Sequence, residues 1–212
     1  MNILTTLILE SVVAAGVLFG IPQQQKRLAQ VIGLTFMIIS LGLAYKLLYT
    51  FDPSLAGFQL VERTPWLLDL GMEYHFGVDG VSVALILLTI FMNTIIVMCH
   101  HKLVKHNIPL YLSCFFLMQG VIIGVFSALD SILFYFFYEA TLIPLFISMG
   151  MFGAKGKVRA AYKLFLYTFC GSAPFLIGII YLGVRSGSFD IESFFTLPLT
   201  WHEQVVLFMA FT

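Results

Sequence analysis

Apolar residues in this chain fall into successive blocks of about twenty, the length an α-helix needs to cross the hydrocarbon core of a bilayer. The blocks run from Ile3 to Ile21, Leu28 to Tyr49, Val78 to Cys99, Ile108 to Leu129, Ser131 to Met151 and Ala160 to Val184. Lipid offers no partner to backbone amides, so segments of this kind close their hydrogen bonds internally, as helices and not as open strands. Composition agrees: 60% of the 212 residues are hydrophobic and 10% are charged, against roughly 25% charged in a soluble domain. The expected fold is all-α, a polytopic transmembrane helix bundle forming a single membrane domain over residues 1–212. A water-soluble enzyme is excluded. With no Lys/Arg stripe to neutralise phosphates, so is a nucleic-acid partner.

A seventh apolar run starts near Val205 and reaches only Thr212, too short to span. The expectation is about six complete helices plus the start of a seventh, from the N-terminal half of a longer protein. Met1-Asn2-Ile3-Leu4 has neither a basic region before its apolar run nor a clear small-residue cleavage site, so the first helix is read as retained. The connections after the first, third and fifth blocks carry Lys26, Arg27, Lys102, Lys105, Lys155, Lys157 and Arg159, whereas the other connections hold only Arg63 and Arg185. By the positive-inside rule the basic connections face the cytoplasm and the N-terminus lies outside. The segment from Phe51 to Gly77 reads as an ordered loop on the outer side.

The polar residues inside these blocks need a reason. Glu139 lies near the middle of the fifth block, where a charge costs about 2.5 to 3.5 kcal/mol on insertion scales, so an acid there marks an ion or proton route by default. Burial favours the neutral acid and a nearby cation the carboxylate, so a moving cationic partner would load and unload a proton. The structural alternative is a protonated glutamic acid bonded to a neighbouring helix. Pro144, five residues on, leaves the carbonyl of Ala140 without its donor and bends the axis. Lys163 shares a helix face with Tyr167 and Gly171, as a proton-path cation or as a lysine snorkelling to the interface. Gly171 and Ser172 are small enough for close helix approach.

Glu10 also sits near the centre of its helix, and the sequence names no partner for it. Gln119 and Asn93 read as interhelical hydrogen-bonding residues. His75, His100, His101, His106 and His202 map to loops or interfaces, and no carboxylate or thiol supports metal binding by the 100–106 group. Cys99, Cys114 and Cys170 have no C-x-x-C spacing and read as small buried residues. No metal site is expected.

Three runs resemble the antiporter-like subunits of respiratory complex I, the NADH:quinone oxidoreductase. Trp66-Leu-Leu-Asp-Leu-Gly-Met-Glu-Tyr-His-Phe-Gly-Val-Asp79-Gly80-Val-Ser82 is similar to the family's entry into its third helix. Asp130-Ser-Ile-Leu-Phe-Tyr-Phe-Phe-Tyr-Glu139, continuing to Pro144, resembles the fifth-helix motif, and Arg159-Ala-Ala-Tyr-Lys163-Leu-Phe-Leu-Tyr-Thr168 the start of the sixth. The likeness runs from about Pro65 to Thr212 and only loosely through the first sixty residues. It implies a proton-translocating subunit with partners in the membrane and peripheral arms of complex I; the fairly charged cytoplasmic loops favour a bacterial inner membrane over a mitochondrial one. It also implies no cofactor in this chain, flavin and iron–sulfur clusters belonging to partner subunits; the absence of cysteine spacing and of a Gly-rich nucleotide loop agrees. Glu139 matches the glutamate that in these subunits pairs with a lysine on the seventh helix, and that lysine would fall beyond Thr212. Lys163 matches a recurrent sixth-helix lysine, and Asp79 with Gly80 the loop-to-helix pair, where a capping or turn role is expected. Glu10 departs from the family pattern. Multisubunit sodium/proton antiporters share the same motifs and are the alternative, with a membrane-bound hydrogenase subunit as a third reading.

Overall fold

The computed structural model describes residues 2–55, 57–67, 72–104 and 106–211; residues 65–67, 72 and 100–103 are described by their backbone alone. The elements in chain order are α1 (Ile3–Phe19), α2 (Lys26–Thr50), β1 (Gln59–Leu67), β2 (Met72–Val78), α3 (Gly80–Leu103), α4 (Ile108–Ser127), α5 (Ser131–Ala140), α6 (Leu142–Phe152), α7 (Lys157–Ser186), α8 (Ile191–Phe194) and α9 (Trp201–Phe211). The chain is a transmembrane helix bundle. Among the described residues five spans are long and apolar enough to cross, α5 and α6 together making one of them. α1, at 17 residues, sits at the lower end of the crossing range.

α4 is the central post. Two thirds of its apolar window (67%) is buried, against 28% or less for each of the other four spans. α1, α2, α3, α5 and α6 pack around it. Its Gly120 is what lets α1 come close: a Cβ there would stand 2.9 Å from Ser11 Cβ and 3.2 Å from the Ile8 carbonyl oxygen. The outward faces stay apolar and exposed, as at Leu9, Val13, Ile38, Tyr45, Met98 and Ile177, which fits a surface solvated by lipid.

Two features depart from the sequence expectation. The fifth block is not one helix over 131–151. It stops at Ala140 and resumes at Leu142, with Thr141 between. Pro144 has no N–H for the carbonyl of Ala140 and its ring crowds that carbonyl, so the ladder is broken where the sequence predicted a bend. The Thr141 hydroxyl and its N–H both donate to the Tyr138 carbonyl, at 2.6 and 3.2 Å, closing a tight turn at the interruption. The second departure is the segment read as a loop: β1 and β2 form an antiparallel hairpin pairing Arg63 with His75 and Thr64 with Tyr74. Val78, taken as the first helical residue of the third block, ends β2, and α3 starts at Gly80. Residues 68–71 of the hairpin motif and Lys105 lie outside the described residues.

The hairpin seals one end of the bundle. No side chain of Asn2 caps α1; instead Glu62 of β1 accepts from Leu4 N at 3.0 Å, Thr5 N at 3.2 Å and the Thr5 hydroxyl. A carboxylate at these unpaired N–H groups meets the positive end of the helix dipole. On the same end Leu129 N donates to the His75 carbonyl, Ser131 N to the Phe189 carbonyl and Ile191 N to the Leu129 carbonyl. Hairpin, α4–α5 turn and the segment after α7 are therefore one stitched layer. Gln23, His106, Asn107, Gly153 and Lys157 gather at the opposite end.

Candidate functional site

Glu139 is the last residue but one of α5, next to the Thr141 interruption. Its side chain is half-buried, and Oε1 is fully enclosed with no hydrogen-bond partner. Such an orphaned acceptor is costly in an apolar setting and asks for an explanation. One turn earlier on the same face, the Tyr135 hydroxyl interacts with both the Glu139 carboxyl and the Ser172 hydroxyl of α7. Ser172 borders a cavity of about 410 Å³ between α5, α7 and α9, lined by Phe134, Tyr138, Thr168, Gly171, Ser172 and Phe175. Acid, phenol and hydroxyl thus run from the helix break toward a space large enough for several waters. Sequence reading finds Glu139 and Pro144 but not Tyr135. Its place four residues before Glu139, on one face, is the signal that could have found it.

Lys163 is not brought to Glu139. It lies exposed early in α7 with Tyr167, itself 72% exposed, on the same face. Gly171 does not mediate a close approach: a Cβ there would meet nothing within 4 Å, whereas at Gly178 and Gly183 it would run into Phe211 and Phe189. Asp79 precedes α3, and its Oδ1 accepts from Ser82 N at 2.7 Å. That bond holds the Asp79 carboxyl below the ordinary carboxylate range. Gly80 is the first helical residue, and a Cβ on it would make ordinary contact with Phe51.

The side chains of Asp130 and Glu10 carry more structure than their sequence context suggests. Asp130, 3% exposed, caps α5 through Oδ1 with Ile132 N at 2.9 Å and Leu133 N at 3.0 Å, while Oδ2 accepts from Glu73 N at 3.3 Å. Burial pushes its carboxyl up, the three N–H groups pull it back, and the Asp190 charge adds to the rise. Glu10, without a partner in the sequence reading, has two: Ser11 and Ser40 donate to its Oε2 at 3.3 and 2.9 Å. Gln119 donates to both serine oxygens at 3.0 and 3.1 Å, and Asn93 donates to Gln119 Oε1 at 2.5 Å. Sequence context singles out Glu10, Gln119 and Asn93 one at a time. Ser11 and Ser40 raise no signal there, because lone serines are common in membrane helices.

Of the histidines, His75 is not a loop residue but a buried member of β2, its Nδ1 3.4 Å from Asp190 Oδ2, in ion-pair range and out of hydrogen-bond alignment. The side chains of His100 and His101 lie outside the described residues. Cys114 is buried and Cys99 partly so, but Cys170 is exposed on α7, against the expectation that all three are buried.

Comparison with known proteins gives this geometry a context. A family model described as NADH:quinone oxidoreductase/Mrp antiporter, TM, matches residues 128–212. NADH-quinone oxidoreductase subunit M of Rickettsia conorii is 43% identical over 151 residues, covering 71% of this chain and 31% of the relative. NADH-ubiquinone oxidoreductase chain 4 of Arabidopsis thaliana is 34% identical over 209 residues, covering 98% of this chain and 42% of the relative. A chain in the structure of respiratory complex I from Thermus thermophilus with bound NADH superimposes with a TM-score of 0.83 at 28% identity, over 100% of this chain and 42% of its own length. The chain spans 31 to 42% of the length of these relatives.

Proposed function

Because this chain belongs to the antiporter-like membrane-subunit family of NADH:quinone oxidoreductase, we propose that it is part of a proton-translocating subunit of that assembly, with Glu139 as its coupling acid. The observation that carries the reading is the enclosed, unpartnered Glu139 Oε1 at a helix break. An acid in lipid is costly and is retained where a proton must be held and passed on. Tyr135 places a hydroxyl near the carboxyl, and Ser172 of α7 stands on the far side of that phenol. The break at Thr141 weakens the helix next to the acid, so the carboxyl can shift between its present place and a cationic partner without unwinding a continuous helix. Lys163, exposed on α7, is the second site residue of the proposal, its ammonium turned to a neighbouring element or subunit.

In this reading the redox centres belong to partner subunits, the membrane is a bacterial inner membrane, and the hairpin end faces outward with the N-terminus, the lysine-rich connections facing the cytoplasm. The test is Glu139→Gln in the full-length protein within its native assembly, measuring NADH oxidation and proton uptake into vesicles. Pumping should fall while the complex still assembles, and Lys163→Ala should lower it in the same sense. Undiminished pumping in Glu139→Gln overturns the assignment. The family description spans Mrp antiporters as well, which supports a sodium/proton antiporter subunit as the second reading. Purification of the tagged protein separates the two: co-elution with flavin, iron–sulfur absorbance and NADH oxidation supports the first, and sodium-dependent proton exchange without them the second.

A further inference from the structure

The five polar side chains Glu10, Ser11, Ser40, Gln119 and Asn93 lie near the middle of α1, α2, α4 and α3 and form one connected chain across all four helices. Its donors all point one way. Asn93 Nδ2 donates to Gln119 Oε1, Gln119 Nε2 donates to Ser11 and Ser40, and both serine hydroxyls donate to Glu10 Oε2. Every donated hydrogen in the chain is directed toward the carboxyl, so Glu10 receives its bonds at one oxygen only.

Two acceptors are left over. Glu10 Oε1 and Asn93 Oδ1 are enclosed and have no hydrogen-bond partner among the described residues. Asn93 is 4% exposed and Gln119 1%, and both line a groove of about 270 Å³ between α3 and α4 with Thr89, Phe115 and Met118, room for several waters. A protein that merely tied four helices together would do so with complementary pairs and no spare buried acceptor at each end. A fixed, ionised Glu10 would bury a charge with no counter-ion. The carboxyl is faced by Ser11 from its own helix and by Ser40 from α2, and Gln119 of α4 stands behind both. Neither α1 nor the facing stretch of α4 has another charged side chain, Lys46 of α2 is exposed toward the hairpin end, and Glu62 of β1 sits at Leu4 and Thr5.

We propose that Glu10 is a second proton-binding site of this protein, separate from Glu139, which takes up and releases a proton at Oε1 while Ser11, Ser40, Gln119 and Asn93 hold the carboxyl in place in both states. On uptake an O–H bond forms at Oε1 with a proton supplied by water; on release it breaks and the proton returns to water. Neither step disturbs the hydrogen bonds at Oε2, which accepts from the serines as a carboxylate oxygen or as the carbonyl oxygen of the acid. The network is therefore not rearranged by the switch, which a site that must load and unload requires.

The experiment is infrared difference spectroscopy on the full-length protein in lipid, stepped between low and high pH. A protonated-carboxyl C=O band should appear at low pH, vanish in Glu10→Gln and persist in Glu139→Gln, so the two acids fail or stand separately. In Ser40→Ala, which keeps the acid and removes one donor to its carbonyl oxygen, the same band should move to higher wavenumber. A Glu10→Gln spectrum superimposable on the parent overturns the proposal. If that variant does not fold, a Ser40→Ala spectrum with every carboxyl band unmoved overturns it equally.

Discussion

Replacing Asp130 by alanine should be among the most damaging single changes outside the apolar core. The carboxyl makes three bonds at a buried position: two cap α5 through Ile132 N and Leu133 N, and the third reaches Glu73 N in the hairpin. Loss of an N-cap costs about 0.5 to 2 kcal/mol, and stranding a buried N–H about 1 to 3 kcal/mol. Together these give about 1.5 to 5 kcal/mol, or a fall of roughly 3 to 20 °C in Tm for a chain of this size. The substitution Asp130→Asn separates the two parts, because asparagine caps a helix nearly as well as aspartate but presents an NH₂ where Glu73 N needs an acceptor. Asp130→Asn should therefore lose about half as much as Asp130→Ala. Thermal unfolding of the full-length protein in mild detergent reads both. A pH series adds a sign. Asp130 is raised above its ordinary value of 3.8 chiefly by burial, so it binds its proton more tightly folded than unfolded. The part of the stability that comes from this proton is complete below 3.8 and is lost as pH rises through the folded value, while the accepted N–H bonds remain. Asp130→Asn should lack that decline. Equal Tm values for the parent protein and both variants would refute the reasoning.

Asp79 behaves in the opposite sense: lowered by the Ser82 N–H, it stabilises at pH above 3.8 and its contribution disappears as pH falls through the folded value, and Asp79→Ala should cost about 0.5 to 2 kcal/mol at neutral pH. Glu62→Ala should free the start of α1, seen as faster hydrogen exchange at Leu4 and Thr5 with α2 unchanged; unaltered exchange there would show that the hairpin does not cap the helix. Gly120→Ala pushes a methyl against Ser11 and the Ile8 carbonyl and should cost about 1 to 3 kcal/mol, whereas Gly171→Ala, with open space around it, should be neutral or stabilising. Equal effects at the two glycines would mean that α1 and α4 are not held at contact distance.

How far the sequence anticipates this structure depends on the range of the interaction. The spans are legible because twenty apolar residues in lipid leave the backbone one solution, and Pro144 marks the place of a disturbance, though as a bend and not as the interruption found, because proline acts on its own turn. Glu139 stands out since a carboxyl in an apolar block has no local excuse. The hairpin is not legible: Arg63, Glu73 and Asp69 in a Pro- and Gly-containing stretch read as loop, and its pairing is set by docking on α1, α4 and α5. Glu62 as the cap of α1 joins residues 57 or 58 apart, a relation no spacing rule encodes. The same holds for the Glu10 chain. Apart from the neighbours Glu10 and Ser11, its members are far apart in sequence, and only the crossing of four helices makes them a unit.

Glu10 and Glu139, the two acids within apolar helices, sit in parts of the bundle with different mechanics, and the difference bears on what each can do. Glu10 lies in the α1–α4 body, where Gly120 brings backbones to contact and the Glu62 cap pins the helix end. Its carboxyl is held by two donors, so proton exchange there must occur at a fixed oxygen with little movement of the chain. Glu139 lies in the α5–α6 span, of which 17% is buried, beside a one-residue interruption, and Tyr135, one turn before it, stacks on Phe175 of α7. Fewer buried contacts and a broken ladder place that span at the low end of local stability. A carboxyl that has to meet a partner on another helix belongs on such a span, and one that only stores a proton belongs in the rigid body. The two parts meet where Phe137 of α5 packs directly against Gly124 of α4.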